Sequence, residues 1–527
     1  MFRAFGRCTP HLRAPMQRSG MRTALRSRAY SSASSSAASS GAAAAGHAEM
    51  ASMAPILTEL DRIAPSFDIN GSQICVIQSP AEFYQTLKDK ILKAKRRVFL
   101  STLYIGKSEL ELINTIQAAL LANPDLKVSI LTDALRGTRE APEPSSASLL
   151  APLVSEFGPD RVEVRMYHTP NLTGLRKKHI PKRINEGWGL QHMKLYGMDD
   201  EIILSGANLS TDYFTNRQDR YHLFSSRRVT EHFGRIHDAA ASLSYLIKPS
   251  NNPSGFEMTW PNAGPAPVEN PIEFVVHATS VLVPLISPPS PVELQGKTAP
   301  ANTRVYMLSQ LSQLLKHDSS TELPAVTHIL KTLSQPAYSQ SSWTFTAGYF
   351  NPAPSLTKML LDSASKDCTI ITASPHANGF FQSKGVSGML PDAYTYLVRQ
   401  FLRAVHAASR DSSITLKEWR RGSVTEPDGW TYHAKGLWVT LPGDKDPAIS
   451  IVGSSNYTKR SYSLDLEAGA LIVTRDASLK KKLGDEQKWL QEYATPTTLD
   501  DLAKTERRVG IHVRLAMWFV QAVGGAL

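Results

Sequence analysis

His192-Met193-Lys194 and His433-Ala434-Lys435 repeat one spacing in two distant parts of a 527-residue chain. Each is followed by a small-residue corner ending in asparagine: Gly206-Ala207-Asn208 in the first, Gly453-Ser454-Ser455-Asn456 in the second. Each asparagine is followed 11 positions later by a carboxylate, Asp219 or Glu467. In an extended chain residues i and i+2 share a face, so each His and its Lys point into the same cleft. Two imidazoles, two ammonium groups and two amides in one place suit attack on a phosphodiester. The phosphoryl oxygens repel a nucleophile, and Lys194, Lys435, Asn208 and Asn456 would neutralise and hold them. One imidazole attacks phosphorus, giving a phosphohistidine. The other protonates the leaving group, then takes the proton of the incoming hydroxyl. Asp219 and Glu467 accept the Nδ1–H of the histidines and fix their tautomers. With 15 histidines a stray H-x-K is expected by chance, whereas two with matched asparagine and carboxylate offsets are not.

Asp199 completes an H-x-K-x4-D run and joins the catalytic set, but its counterpart in the second half is Thr440. A structural role, bonding strand or turn amides, fits it better than chemistry. His192 to Asn208 is 16 positions against 23 from His433 to Asn456, and Pro442 to Pro447 reads as a turn insertion that absorbs most of the excess.

The elements that must position these groups follow an α/β pattern. Helices are expected over 80–97, with Phe83, Leu87, Ile91 and Leu92 on one face, and over 108–122, opened by Ser108 and Glu111 at capping-box spacing. Strands are expected at 98–103, 128–131, 162–166, 343–346 and 369–372, and a further helix near 394–407. Ten of the 33 prolines fall between Pro249 and Pro291, marking a connection over 249–300 between a first domain, 51–248, and a second, 301–500. The apolar run Phe274 to Ile286, interrupted by Pro284, reads as an edge or linking strand.

Charge and composition narrow the partners. Lys and Arg number 58 against 47 Asp and Glu, for a net +11. Seven of those charges are arginines between Met1 and Ala48, a stretch without Asp, Glu or Lys. An acid-free, Arg- and Ser/Ala-rich leader is the signature of a mitochondrial presequence, so residues 1–50 are set aside as presequence and spacer. The +4 that remains gives no general nucleic-acid signal. No run of 18 uninterrupted apolar residues is present, which excludes a conventional transmembrane span. Three scattered cysteines exclude a disulfide framework or a cysteine-based zinc site.

These motifs resemble the phospholipase D superfamily, whose duplicated domains carry one H-x-K-x4-D each. Within it, the segments 101–106, 133–139, 189–194, 205–214, 348–351, 374–381 and 432–438 are similar to the family of eukaryotic mitochondrial phosphatidylglycerophosphate synthases. The departure at Thr440 favours that subgroup, whose second motif looks similarly degenerate. The resemblance implies two α-β-α sandwich domains around one shared active site. It also implies transfer of a phosphatidyl group from CDP-diacylglycerol to sn-glycerol 3-phosphate, with release of CMP. By the superfamily's logic His192 forms the phosphatidyl-enzyme and His433 is the acid/base, although sequence does not separate the two roles. Hydrolysis of phospholipid or nucleic acid by the same machinery is the alternative, and a non-catalytic scaffold has no need of both H-x-K pairs. Arg136 and Arg139 are expected to grip the pyrophosphate or the acceptor phosphate, with Lys384 a weaker candidate. No metal ligand is assigned, and a divalent ion remains open as an aid to the pyrophosphate. A lipid donor calls for peripheral membrane contact, expected on the matrix face of the mitochondrial inner membrane. The basic cluster Arg176-Lys177-Lys178 with Lys182-Arg183 and an interfacial helix within 501–527 are the candidates for it, with an exposed loop and a helix packed on the core as the alternatives.

Overall fold

The computed structural model describes residues 53–182, 184–288 and 301–522. The expected presequence therefore lies outside the described residues, as do Arg183 and the end of the Pro-rich connection.

Two nine-stranded sheets carry the fold. In the first, Arg97–Ser101, Lys127–Asp133 and Val162–Tyr167 run parallel, as β-strands joined by helical crossovers do. Leu195–Met198, Glu201–Ser205 and Tyr221–Ser225 continue the sheet antiparallel. The second sheet repeats this plan. Ser342–Ala347, Asp367–Ala373 and Ile414–Trp419 are parallel, and Lys435–Thr440, Ile449–Gly453 and Glu467–Thr474 follow antiparallel. The duplication read from two motifs is thus a duplication of sheet topology.

Helices cover the sheets because their apolar faces have nowhere else to go. Pro80–Lys93 starts at Ser79, whose side chain accepts from the Glu82 amide, and buries Phe83, Leu87 and Ile91. Helix Leu110–Ala122 departs from expectation at its start: the cap is Glu109, and the Ser108–Glu111 box does not form. Glu109 instead accepts the amide and hydroxyl of Thr211, both at 2.7 Å, tying this helix to the corner after Asn208. A continuous core between the sheets takes Leu195, Leu204 and Phe224 from one side and Met307, Trp438 and Ile472 from the other. The two halves are therefore fused by buried apolar surface.

Two expected boundaries are corrected. Helix 53–63 packs into the core of the second half, and Ser66–Ile69 pairs antiparallel with Thr303–Gln310. The first sheet begins only with Ile74–Ile77, so the start of the first domain at 51 is displaced. The Pro-rich stretch holds strand Phe256–Thr259 and helix Pro271–Ile286, not a plain connection. The run read as an edge strand is that helix. Pro271 sits in its first turn, where a missing N–H costs nothing, and Phe274, Ala278, Leu282 and Ile286 form one buried stripe.

Candidate active site

Each H-x-K segment leads into a strand of its own sheet while its histidine pairs with the backbone of the other half. His192 N–H donates to Leu466 O at 2.9 Å, and Gln191 bridges Leu466 in parallel. His433 N–H donates to Gln218 O at 2.8 Å, and Thr431–Tyr432 pairs in parallel with Arg217–Gln218. Leu466 and Gln218 immediately precede the two carboxylates. The backbone pairing therefore sets each imidazole against the carboxylate of the opposite half. His192 Nδ1 lies 3.0 and 2.9 Å from the Glu467 oxygens, and His433 Nδ1 lies 2.7 Å from Asp219 Oδ2. Sequence predicted the two pairs; the crossing between halves is new with the structure.

The lysines lie where the i, i+2 argument put them. Lys194 Nζ donates to His192 O at 2.7 Å, and Lys435 Nζ to His433 O at 3.1 Å. Lys435 also reaches within 4.0 Å of Asp219. Space for it depends on Gly206, where a Cβ would stand 2.8 Å from Asp219 Oδ1 and 2.9 Å from Lys435 Nζ. At the equivalent position of the second half Ser454 donates to Glu467 at 2.5 Å. Asn208 Nδ2 donates to the Tyr213 hydroxyl at 3.2 Å, while the Oδ1 atoms of Asn208 and Asn456 are buried without a partner.

Burial controls the charges. It pushes both imidazoles well below their ordinary value, and the neighbouring Lys194 and Lys435 push further in the same direction. Burial raises Asp219 to about 6 against the pull of Lys435, and Glu467 to about 7 against Lys194. Burial also lowers Lys194 to about 7 and Lys435 to about 8, with Glu467 and Asp219 opposing it. In the free enzyme two neutral imidazoles thus face carboxylates at Nδ1, and at His433 Lys435 Nζ also lies 2.8 Å from Nδ1 and 3.2 Å from Nε2. As pH falls through 7 and 6 the carboxylates protonate and stop orienting the rings; as it rises through 7 and 8 the lysines lose charge. A bell-shaped kcat/KM profile with both limbs between about pH 6 and 8 is expected, its apparent values belonging to the cluster. A flat profile from pH 6 to 9 contradicts this assignment.

The two histidines differ at Nε2. The Tyr213 hydroxyl lies 3.3 Å from His433 Nε2, and Tyr213 and Tyr349 flank that ring edge-on. His192 Nε2 makes no hydrogen bond within the described residues. An open Nε2 suits a nucleophile, and one beside a hydroxyl suits a group that hands protons on and off.

The other expected residues divide. Asp199 caps the far end of strand Leu195–Met198, seven residues and roughly 20 Å of extended chain from His192. It sits at φ +51°, and its carboxylate accepts the amides of Lys95, Arg96 and Arg97. It is a turn residue, which corrects its place in the catalytic set and explains why Thr440 suffices in the other half. Arg136 lies 3.9 Å over the Tyr104 ring and pairs with Glu140. With Ser210 and Asp212 these residues line a cleft of about 240 Å³. Arg139 is held bidentately by Glu186. Lys384 stands on an exposed turn and bonds to no site residue. Sequence reasoning missed Arg460, which forks onto Asp465 and donates to Glu186 O, and Arg217, Tyr213 and Tyr349. Their only signal was proximity to the asparagine corners and to the Gly348-Tyr349 segment. Among the described residues no group of three or more His, Cys, Asp or Glu is arranged to hold a metal ion.

A duplicated phospholipase D-like fold with two carboxylate-paired histidines at its seam is an arrangement suited to phosphodiester chemistry. Known proteins agree. A CDP-diacylglycerol–glycerol-3-phosphate 3-phosphatidyltransferase of Saccharomyces cerevisiae is 47% identical over 464 residues, 85% of this chain and 88% of its own. The Schizosaccharomyces pombe enzyme of that name is 41% identical over 85% of this chain, and the human mitochondrial one 34% over 86%. The chain belongs to the CDP-diacylglycerol–glycerol-3-phosphate 3-phosphatidyltransferase family. Among solved structures, a phosphatidylserine synthase of Haemophilus influenzae Rd KW20 superposes with a TM-score of 0.66. It covers 89% of this chain and 97% of its own at 20% identity, a likeness of fold. No family model matches the sequence.

Proposed function

We propose that the protein transfers the phosphatidyl group of CDP-diacylglycerol to sn-glycerol 3-phosphate, forming phosphatidylglycerophosphate and CMP. The observation that carries this reading is the pair of imidazoles held at Nδ1 by carboxylates of opposite halves. His192 Nε2 attacks the diacylglycerol-bearing phosphorus and the P–O bond to CMP breaks, while His433, which takes up a proton at Nε2 when the anionic donor binds, gives that proton to the departing CMP and becomes neutral. The glycerol 3-phosphate hydroxyl then gives its proton to His433, attacks the same phosphorus, and the P–N bond to His192 breaks. Lys194, Lys435, Asn208 and Asn456 carry the phosphoryl oxygens throughout. A divalent ion, were one bound with the donor, would supply charge neutralisation to its pyrophosphate.

Purified full-length protein supplied with CDP-diacylglycerol and labelled glycerol 3-phosphate is expected to move label into lipid with one CMP per label. Label that stays water-soluble while phosphatidic acid accumulates makes the enzyme a hydrolase instead.

The lipid donor sets the location. No helix of the described residues is long and apolar enough to cross a membrane. Helix Ile511–Ala522 packs Val513 and Met517 against Ala393 and leaves Ile511, Leu515 and Trp518 exposed. One face of this helix thus packs on the core, and the exposed face is the one we propose for the membrane. Val386 and Leu175 are exposed on the turn Gly385–Met389, which adjoins that helix, and on the helix Gly174–His179, with Arg176, Lys177 and Lys178. The exposed face of helix Ile511–Ala522 with Val386, and separately the basic helix Gly174–His179 with Leu175, are the surfaces we propose for an anionic bilayer, on the matrix face of the mitochondrial inner membrane. Replacing both Leu515 and Trp518 by Glu should cut cosedimentation with cardiolipin-containing vesicles roughly tenfold. Unchanged binding removes this helix from the interface.

A further inference from the structure

Acceptor choice must be made beside His433. In two successive in-line displacements at one phosphorus, the departing CMP and the incoming alcohol use the same line, opposite His192 Nε2. The proton donor and acceptor for both stands on that side, and the open Nε2 of His192 makes it His433. Glycerol 3-phosphate differs from glycerol and from water by a dianion one three-carbon span from the reacting hydroxyl. A cation that selects it must lie about that far from His433 Nε2 and must keep a donor free.

The arginines near the seam divide on this test. Arg139 on Glu186 and Arg460 on Asp465 and the Glu186 carbonyl also leave Nη1 unpaired among the described residues, so position decides: Arg460 is held by Asp465, beside the Leu466 that pairs with His192, and Arg139 by Glu186. Arg136 stacks on Tyr104 and pairs with Glu140. Arg217 stands against His433's own wall: its guanidinium is 4.5 Å from the Tyr213 ring, whose hydroxyl is 3.3 Å from Nε2. Its place is fixed by the parallel pairing of Arg217 with Thr431, two residues before His433. Nε donates to Thr431 Oγ1 at 2.9 Å and Nη2 meets Asp212 at 2.7 Å, while Nη1 has no partner among the described residues. Asp212 is steadied by Ser210 at 2.7 Å and is itself partly exposed, so solvent already weakens its claim on the arginine. Gly379 leaves the guanidinium room, since a Cβ there would stand 2.8 Å from Nη2 and 3.2 Å from the Tyr349 hydroxyl.

We infer that Arg217 is the specificity residue for the acceptor, binding the phosphate of a short phosphorylated polyol through Nη1 so that its free hydroxyl meets His433. The inference rests on the transferase reading and adds to it the residue that makes a charged alcohol the acceptor. Asp212 holds the fork in orientation, and the incoming dianion supplies the second anion that the guanidinium's free edge accepts.

The test compares two acceptors on one preparation, so that any loss of folded protein cancels. Wild-type, Arg217→Ala and Arg217→Lys proteins are assayed with CDP-diacylglycerol and either glycerol 3-phosphate or glycerol, with exchange of labelled CMP into CDP-diacylglycerol as a third reading. In Arg217→Ala the ratio of kcat/KM for glycerol 3-phosphate to that for glycerol should fall roughly 100-fold, mainly through KM for the phosphorylated acceptor. Arg217→Lys, which keeps the charge but not the fork, should recover part of it. An unchanged ratio overturns the inference, and so does an equal fall in both acceptors and in exchange, which marks a structural role. Wild-type protein that makes no phosphatidylglycerophosphate defeats the function itself. Wild-type protein that makes it beside an Arg217→Ala enzyme of unaltered ratio defeats only the role of Arg217.

Discussion

His192→Ala and His433→Ala each lower phosphatidyl transfer roughly 10⁴-fold or more, and the double variant is little worse than either single one. Both follow from one imidazole forming the covalent bond while the other moves the proton in each half-reaction, so that removing either stops the same cycle. The crossed pairing extends the expectation to the carboxylates. Asp219→Asn leaves the geometry in place but replaces the acceptor of the His433 Nδ1–H with an amide, and should cost roughly 10³- to 10⁴-fold by favouring the wrong tautomer. Initial rates with saturating donor measure all of these. A His433→Ala enzyme retaining a tenth of wild-type turnover contradicts the two-histidine cycle.

Glu486→Ala should lower the unfolding free energy by about 3–5 kcal/mol, the cost of leaving a buried charge without its partner. Arg220 lies fully buried at the seam, with Nε and Nη2 on the two Glu486 oxygens at 3.0 and 2.8 Å. Its Nη1 donates to Ile451 O at 2.6 Å, and its guanidinium lies 3.8 Å over Trp438. His222 and the Trp438 indole N–H converge on the same carboxylate, at 2.9 and 3.0 Å. Arg220 and His222 come from the first half, Trp438 and Glu486 from the second. Removing the carboxylate therefore takes the acceptor from four donors on three side chains and loosens the seam beside Asp219. Burial alone would raise the Glu486 carboxyl, but Arg220 and His222 outweigh it and hold the value at about 2. The sign follows: a depressed carboxylate stabilises above its ordinary range, and that contribution is lost only as pH falls toward 2. The wild-type seam stays ionised at neutral pH, so the difference from Glu486→Ala in denaturant unfolding should persist from pH 6 to 8. A change under 1 kcal/mol means the seam does not depend on this pair.

What sequence disclosed was whatever chemistry forces into local spacing. A His and a Lys that share a cleft sit two residues apart, and the 11-residue step from each asparagine to its carboxylate carries the repeat. Strands such as Lys127–Asp133 and Asp367–Ala373 announced themselves by β-branched runs. The crossing of His192 to Glu467 and His433 to Asp219 was not legible, because it is set by how two halves dock, and spacing within a half is silent on that. The same holds for Arg217, whose neighbours Thr431 and Gly379 lie more than 160 positions away. Helix Pro271–Ile286 was hidden for a different reason. Proline density and valine content pointed to broken or extended chain, yet Pro271 occupies a tolerated first-turn position and the four-residue spacing from Phe274 to Ile286 is a helical stripe. Asp199 shows the converse hazard, a motif position whose side chain serves a turn.

The central step is a phosphatidyl group carried by His192 at a site both halves build. Protein mixed with CDP-diacylglycerol labelled in the diacylglycerol phosphate, without acceptor, is quenched in alkali, where a phosphohistidine survives, and digested. Label is expected on the peptide containing His192, with CMP released in equal amount. It should be lost on adding glycerol 3-phosphate before the quench and be absent from His192→Ala. Label on the His433 peptide, or product formed with no labelled peptide at all, contradicts the account.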